Sequence, residues 1–67
     1  MSTPAEHKPI VAVILRDAGF DARIENGQVM VGLTNRPVTT QEVLEVLDRE
    51  IEIEFDAHQV GNRVRVD

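Results

Sequence analysis

Residues 20–33 read Phe20-Asp21-Ala22-Arg23-Ile24-Glu25-Asn26-Gly27-Gln28-Val29-Met30-Val31-Gly32-Leu33. Apolar and polar residues alternate on both sides of Asn26-Gly27, which is typical of two strands that each have one apolar face. An Asn-Gly pair favours a two-residue type I′ turn, because both residues can take positive φ. Such a turn sets Glu25 opposite Gln28. Counting outward, the sequence predicts a hairpin that pairs Ile24 with Val29, Ala22 with Val31 and Phe20 with Leu33.

A helix is predicted before this hairpin. Apolar residues from Ile10 to Ala18 recur at spacings of three and four, and Gly19 follows as a left-handed stop. Pro9 is the expected first helical residue, since its missing N–H is not needed there. The apolar stripe is wide, because Ile10 and Val13 lie on its flanks.

A second helix is predicted after the hairpin. Thr39 and Glu42 have the spacing of a capping box, and Val38 and Val43 that of a hydrophobic staple across it. The helix is expected to reach about Glu50 and to bury Val43, Leu44, Val46 and Leu47.

Two more strands are predicted in the last part of the chain. Residues 51–56 alternate as a third strand and residues 63–66 as a fourth. A loop over residues 57–62 would pair Phe55 with Val64, and would set Asp56 against Arg63 and Glu54 against Arg65. A tight turn at Gly61-Asn62 is the competing register.

The predicted order is αββαββ, in the α+β class. Leu15-Arg16-Asp17 before the first alternation resembles Leu47-Asp48-Arg49 before the second, which suggests an internal repeat of residues 9–33 and 39–66. Each helix must cover an apolar sheet face, so both helices are expected on one face of a four-stranded sheet. Residues 1–8 are interpreted as a flexible tail and residues 9–67 as a single domain.

Composition limits the classes of function. The 67 residues carry 12 acidic and 7 basic side chains and no Cys, so disulfides, thiolate catalysis and sulfur-bound zinc are excluded. A domain this small buries little of its surface, which favours a homodimer. The longest apolar run spans six residues, too few for a membrane span. The opening residues lack a signal-peptide pattern, so a cytoplasmic protein is expected.

No catalytic or metal site, and no cofactor, is predicted. His7 and His58 are far apart and have no ligand-spaced partner. Pairs of carboxylates such as Glu52 and Glu54 follow from simple alternation. Nucleic-acid binding is disfavoured by the net charge of −5 and the absence of Trp and Tyr.

The candidate surfaces are therefore contact surfaces. One is the apolar flank of the first helix. Another is the charged face of the sheet. An anion contact is also placed at Asn35 and Arg36, beside the start of the second helix. The first two surfaces together comprise Ile10, Val13, Arg23, Met30, Glu54, Arg63 and Arg65.

The run Leu15-Arg16-Asp17-Ala18-Gly19 with the hairpin that follows it, and Thr34-Asn35-Arg36 beyond, resembles small acidic proteins of unknown function from haloarchaea. That resemblance implies no activity and assigns no site residue. The expected function is a small non-catalytic interaction or regulatory module, homodimeric and with a protein partner. The alternative is an accessory nucleic-acid-binding protein that uses Arg23, Arg63 and Arg65.

Overall fold

The computed structural model describes residues 7–67. The predicted tail at residues 1–8 lies mostly outside the described residues. The structure confirms the α+β class and the order αββαββ. The elements are α1 (Lys8–Asp17), β1 (Asp21–Glu25), β2 (Gln28–Gly32), α2 (Thr40–Glu50), β3 (Ala57–Val60) and β4 (Arg63–Val66).

The four strands form one antiparallel sheet in the order β1-β2-β4-β3. Both helices cover the same face, and their buried side chains join the inward strand residues in a single hydrophobic core. From α1 the core takes Val11, Ala12 and Leu15, and from α2 it takes Val43, Val46 and Leu47. The sheet contributes Ala22, Val29, Val31, Val64 and Val66.

The first hairpin has the predicted register. Glu25 faces Gln28, Ile24 faces Val29 and Ala22 faces Val31. Asn26 and Gly27 have φ of 52° and 76°, as a type I′ turn requires. Gly19, with φ of 99°, ends α1 as expected.

The start of α2 also follows the prediction. The Thr39 side chain accepts a hydrogen bond from the Glu42 backbone N–H, and the Glu42 carboxylate accepts one from the Thr39 N–H at 2.9 Å. Val38 and Val43 are both fully buried, in keeping with the predicted staple. Two orphan backbone donors of the helix are thereby satisfied.

The predicted third strand is wrong. Residues 51–56 form an extended connection outside the strands, and the strand beside β4 is β3. The last residue of the connection, Asp56, exchanges two backbone hydrogen bonds with Asp67. The register that pairs Phe55 with Val64 is also wrong, because Gly61 and Asn62 form the tight turn and Gln59 faces Val64. Gly61 adopts φ of 61°, which allows a two-residue connection between β3 and β4.

Burial nevertheless alternates along the connection as the sequence predicts. Phe55 is buried, and Ile51 and Ile53 pack against the core, whereas Glu52 and Glu54 are exposed. The alternation therefore identified which side chains of residues 51–56 point inward, but it did not show which residues pair with β4. In the proposed repeat, Ile51, Ile53 and Phe55 correspond to residues of β1. They lie in the connection before β3, so this part of the repeat does not extend to the strands.

Candidate functional site

The outer face of the sheet brings together four of the predicted contact residues. Arg23 faces Met30 across β1 and β2, and Met30 faces Arg65 across β2 and β4. Arg63 lies on the same face, with its side chain across Gly32. An ideal Cβ at Gly32 would be 3.4 Å from Cγ and Nε of Arg63. The predicted charged face therefore exists, and its middle row continues to His58 on β3.

Each arginine on this face has a carboxylate partner. Arg23 Nε is 3.1 Å from Asp21 Oδ1, and Arg65 Nη2 is 3.4 Å from Asp67 Oδ2. Arg63 donates to the Glu25 carboxylate, which ties β4 to β1 across β2. Positive and negative side chains therefore alternate on this face. Binding to a phosphate backbone requires a continuous basic patch, and this face does not form one.

The pKa of two groups reflects the Arg63–Glu25 pair. The hydrogen bond from Arg63 lowers the pKa of Glu25 below its usual 4.5. The same bond raises the pKa of Arg63. Both shifts favour the charged forms, so the pair is an ion pair at neutral pH. The predicted cross-strand pairs of Arg63 with Asp56 and Arg65 with Glu54 are wrong, because Arg63 faces Val60 and Arg65 faces His58, while Asp56 lies opposite Asp67.

Glu54 does not belong to the sheet face. It is exposed on the connection at residues 51–56, where no strand carries it. Its assignment rested on the incorrect third strand. Asp67 takes the place that the sequence analysis gave to acids from residues 51–56. His58 Nε2 lies 3.0 Å from the same Asp67 carboxylate oxygen that Arg65 approaches.

The predicted anion contact is occupied by the protein's own carboxylate. Arg36 Nη1 is 2.6 Å from Glu42 Oε1 and also donates to the Pro37 carbonyl at 3.2 Å. The Thr39 backbone N–H, followed by the Arg36 side chain, lowers the pKa of Glu42 below its usual 4.5. Asn35 is exposed in the preceding bend. A second anion at this position would meet the negative charge of Glu42.

The apolar flank of α1 is exposed. Ile10 and Val13 are 48% and 51% exposed, and they lie on the side of the helix opposite Val11, Ala12 and Leu15. A spacing of three residues puts Ile10 and Val13 on one face. Among the described residues these are the two most exposed large apolar side chains.

Ile24 was missed as a surface residue. The alternation assigned it to the inner face beside Val29, yet it is 45% exposed, whereas Val29 is fully buried. β1 is at the edge of the sheet and Ile24 sits beside the hairpin turn, where less of the fold covers it. The alternation shows the direction of a side chain but does not show that its strand lies at an edge.

Two shallow grooves mark the described surface. One lies between the helices and is lined by Ile14, Ala18, Val46 and Arg49. The other lies on the charged face beside Arg23, Glu25 and Arg63. Within residues 7–67 there is no group of three or more His, Asp or Glu side chains placed to hold a metal ion.

Neither α1 nor α2 is long and apolar enough to cross a membrane, and the described residues form no other helix of that length. Comparison of the chain with protein-family models, curated proteins and solved structures found no match. The fold and its surfaces therefore define the class, a small α+β protein with a helix-covered antiparallel sheet.

Proposed function

We propose that this protein is a small non-catalytic interaction or regulatory module that acts as a homodimer. The observation that supports this proposal is the exposed apolar flank of α1, formed by Ile10 and Val13. Helix residues that point away from the core are ordinarily polar. Exposed β-branched residues at this spacing are better explained by a protein surface that covers them.

The size of the protein gives a physical reason for this association. Its core is aliphatic apart from Phe55, and a 67-residue chain has a thin margin of stability. Covering the exposed halves of Ile10 and Val13 would add roughly 1 kcal/mol for each side chain. Dimerisation would thus stabilise the fold as well as create a larger surface for a further protein partner.

The ion pairs on the sheet face favour an interaction module over the alternative of nucleic-acid binding. Arg23, Arg63 and Arg65 are each held by a carboxylate. A nucleic-acid phosphate would have to displace these carboxylates or accept their repulsion. A cytoplasmic location and the absence of a cofactor belong to the same proposal.

The mass of the protein in solution tests the proposal. Light scattering coupled to size-exclusion chromatography should give twice the chain mass of 7.5 kDa at micromolar concentration. Val13→Glu should shift the species to the monomer, because it places a charge in the covered surface. Val60→Glu is the matched control, since Val60 is 45% exposed on β3, and it should leave the dimer unchanged.

A monomeric wild-type protein, or a Val13→Glu variant that is folded by circular dichroism and still dimeric, would contradict the use of this surface. Capture of tagged protein from nuclease-treated and untreated lysate separates the two classes of function. A defined protein partner that survives nuclease supports an interaction module. Recovery of nucleic acid that nuclease abolishes supports the alternative.

A further inference from the structure

Acidic side chains are concentrated in α2 and the connection that follows it. Residues 42–56 hold seven of the 12 acidic side chains and one of the 7 basic side chains. The rest of the chain holds five acidic and six basic side chains. The excess negative charge of the protein therefore belongs to one part of its surface, and that part attracts a partner of opposite charge.

Exposed acids at and after the ends of the two helices differ from the charged residues of the sheet face. On the sheet face, Arg23, Arg63 and Arg65 are each paired with a carboxylate. Five exposed acids make no ion pair within residues 7–67, namely Asp17, Asp48, Glu50, Glu52 and Glu54. Their negative charge is therefore available to a cation from outside the chain.

The groove between the helices lies where both helices end. α1 ends at Asp17 and α2 ends at Glu50, and both residues line the groove. The apolar part of the lining comes from Ile14, Ala18 and Val46. The groove has a volume of about 330 Å³, which is small for a ligand pocket and suits one long side chain.

The electrostatics of the groove favour a cation. The C-terminal end of a helix carries a partial negative charge from its unpaired carbonyl groups. Two such ends meet here and add to the carboxylates of Asp17 and Glu50. Arg49 also lines the groove and offsets part of this charge. The lining as a whole remains negative around an apolar floor.

We propose that the groove between α1 and α2 binds a lysine or arginine side chain from a basic segment of a protein partner. The aliphatic stem of that side chain lies on Ile14, Ala18 and Val46, and its charged end reaches Asp17 and Glu50. Further basic residues of the segment lie along the exposed acids that follow α2. This inference rests on the interaction module proposed above and names the chemistry of its partner.

Fluorescence anisotropy with a labelled peptide tests the groove. The probe is a peptide of alternating lysine and serine, and the same peptide with glutamate in place of lysine is its control. Asp17→Asn combined with Glu50→Gln should weaken binding of the lysine peptide about tenfold. The matched control, Asp48→Asn combined with Glu54→Gln, removes the same charge from positions that do not line the groove. It should weaken binding less than about threefold.

Two further variants examine the charge and the floor of the groove. Arg49→Gln should tighten binding of the lysine peptide about threefold, because it removes the positive charge from the lining. Ala18→Lys should weaken binding about tenfold, because the introduced ammonium group occupies the groove and repels the peptide. Circular dichroism checks that each variant is folded.

Several outcomes overturn the inference. Equal losses of affinity in the groove variant and its matched control show that binding follows net charge alone. Equal binding of the glutamate peptide, or no binding of the lysine peptide at low salt, removes the basic partner. Binding of spermidine without binding of the lysine peptide replaces the protein partner with a small polyamine.

The mass of the protein in solution separates this inference from the homodimer. A dimer that does not bind the lysine peptide overturns the groove as a binding site and leaves the homodimer standing. A monomer that binds the peptide, and loses binding in the groove variant alone, supports the groove and contradicts the homodimer.

Discussion

The two helix–hairpin units have the same order of elements but are fastened by different contacts. In the unit of α1, β1 and β2, the ties are local. The Phe20 N–H donates to the Leu15 carbonyl at 3.0 Å, and Arg16 reaches Ala22. In the unit of α2, β3 and β4, the ties are distant. The Val38 N–H donates to the Asn62 carbonyl at 3.0 Å, and Gln59 returns a bond to the Val38 carbonyl.

This difference shows two ways of holding one motif. The first unit joins its helix to its hairpin through residues 18–20, so its contacts close short loops. The second unit needs residues 51–56 for the same connection and is anchored by a segment more than 20 residues earlier in the chain. Closing longer loops has a larger entropy cost. We therefore expect the second unit to depend more on the integrity of the whole fold.

The largest expected effect comes from the two phenylalanines, one in each connection. Phe55 is buried and Phe20 is partly buried. Phe55→Ala should lower the free energy of unfolding by about 3–5 kcal/mol, because it leaves a cavity in the core. Phe20→Ala should cost about 1–3 kcal/mol, since less apolar surface is lost. Urea unfolding followed by circular dichroism measures both values.

Equal losses of unfolding free energy at Phe20 and Phe55 would show that the two connections contribute equally to stability. A loss at Phe55 below that at Phe20 would show that residues 51–56 do not pack as described. The loss expected for Phe55→Ala is close to the whole free energy of unfolding of a small domain. The measurement should therefore be repeated with Phe55→Leu, which retains most of the apolar volume and should lower the free energy of unfolding less.

A smaller effect is expected at the helix starts. Thr39 caps α2 through its side chain, whereas His7 at the start of α1 makes no side-chain cap bond. Thr39→Ala should lower the free energy of unfolding by about 1 kcal/mol. His7→Ala should change it by less than about 0.5 kcal/mol. If urea unfolding gives the same loss of stability for both substitutions, the capping box does not stabilise the start of α2 more than His7 stabilises the start of α1.

The smallest effect is a dependence on pH. The folded pKa values of Glu25 and Glu42 both lie below 4.5. A carboxyl with a lowered folded pKa stabilises the protein at pH above its unfolded value, and this contribution is lost as pH falls through the folded value. We expect the unfolding midpoint in urea to be steady from pH 7 to about 5 and then to fall under more acidic conditions.

Added salt should affect the contributions of Glu25 and Glu42 to stability differently. Glu25 is paired mainly with the partly exposed Arg63, while Glu42 is held first by the Thr39 backbone N–H. Added salt screens exposed ion pairs. In 1 M NaCl, Glu25→Gln should therefore reduce the acid dependence less than it does at low salt, and the effect of Glu42→Gln should be better retained. The opposite order would contradict the assigned causes of the pKa shifts.

The sequence predicted the first unit and the start of α2 because the signals for both are local. Asn26-Gly27 set the register of the hairpin, and Thr39 with Glu42 set the start of α2. The third strand could not be placed in the same way. The inward positions of β3 are Ala57 and Gln59, and its outer residues include Val60, so its pattern is almost the reverse of an ordinary half-buried strand. The stronger alternation lies in residues 51–56, which bury Phe55 and partly bury Ile51 and Ile53 but belong to no strand.

The contact surfaces were predictable to the extent that helix periodicity determines them. The exposure of Ile10 and Val13 follows from their angles on α1. The partners of Arg63 and Arg65 could not be deduced, because Glu25 and Asp67 approach them only through the order in which the strands assemble. The exposure of Ile24 depends on the same strand order.

Gly32 on the outer face limits which residues can occupy neighbouring positions. Its backbone φ is not in the left-handed region, so the backbone does not demand glycine. The side chain of Arg63 lies where a larger residue would stand. Alanine would only touch the arginine, whereas a bulkier residue would displace it from Glu25. Positions 25, 32 and 63 are therefore expected to change together in any related chain, as a linked set that spans three strands.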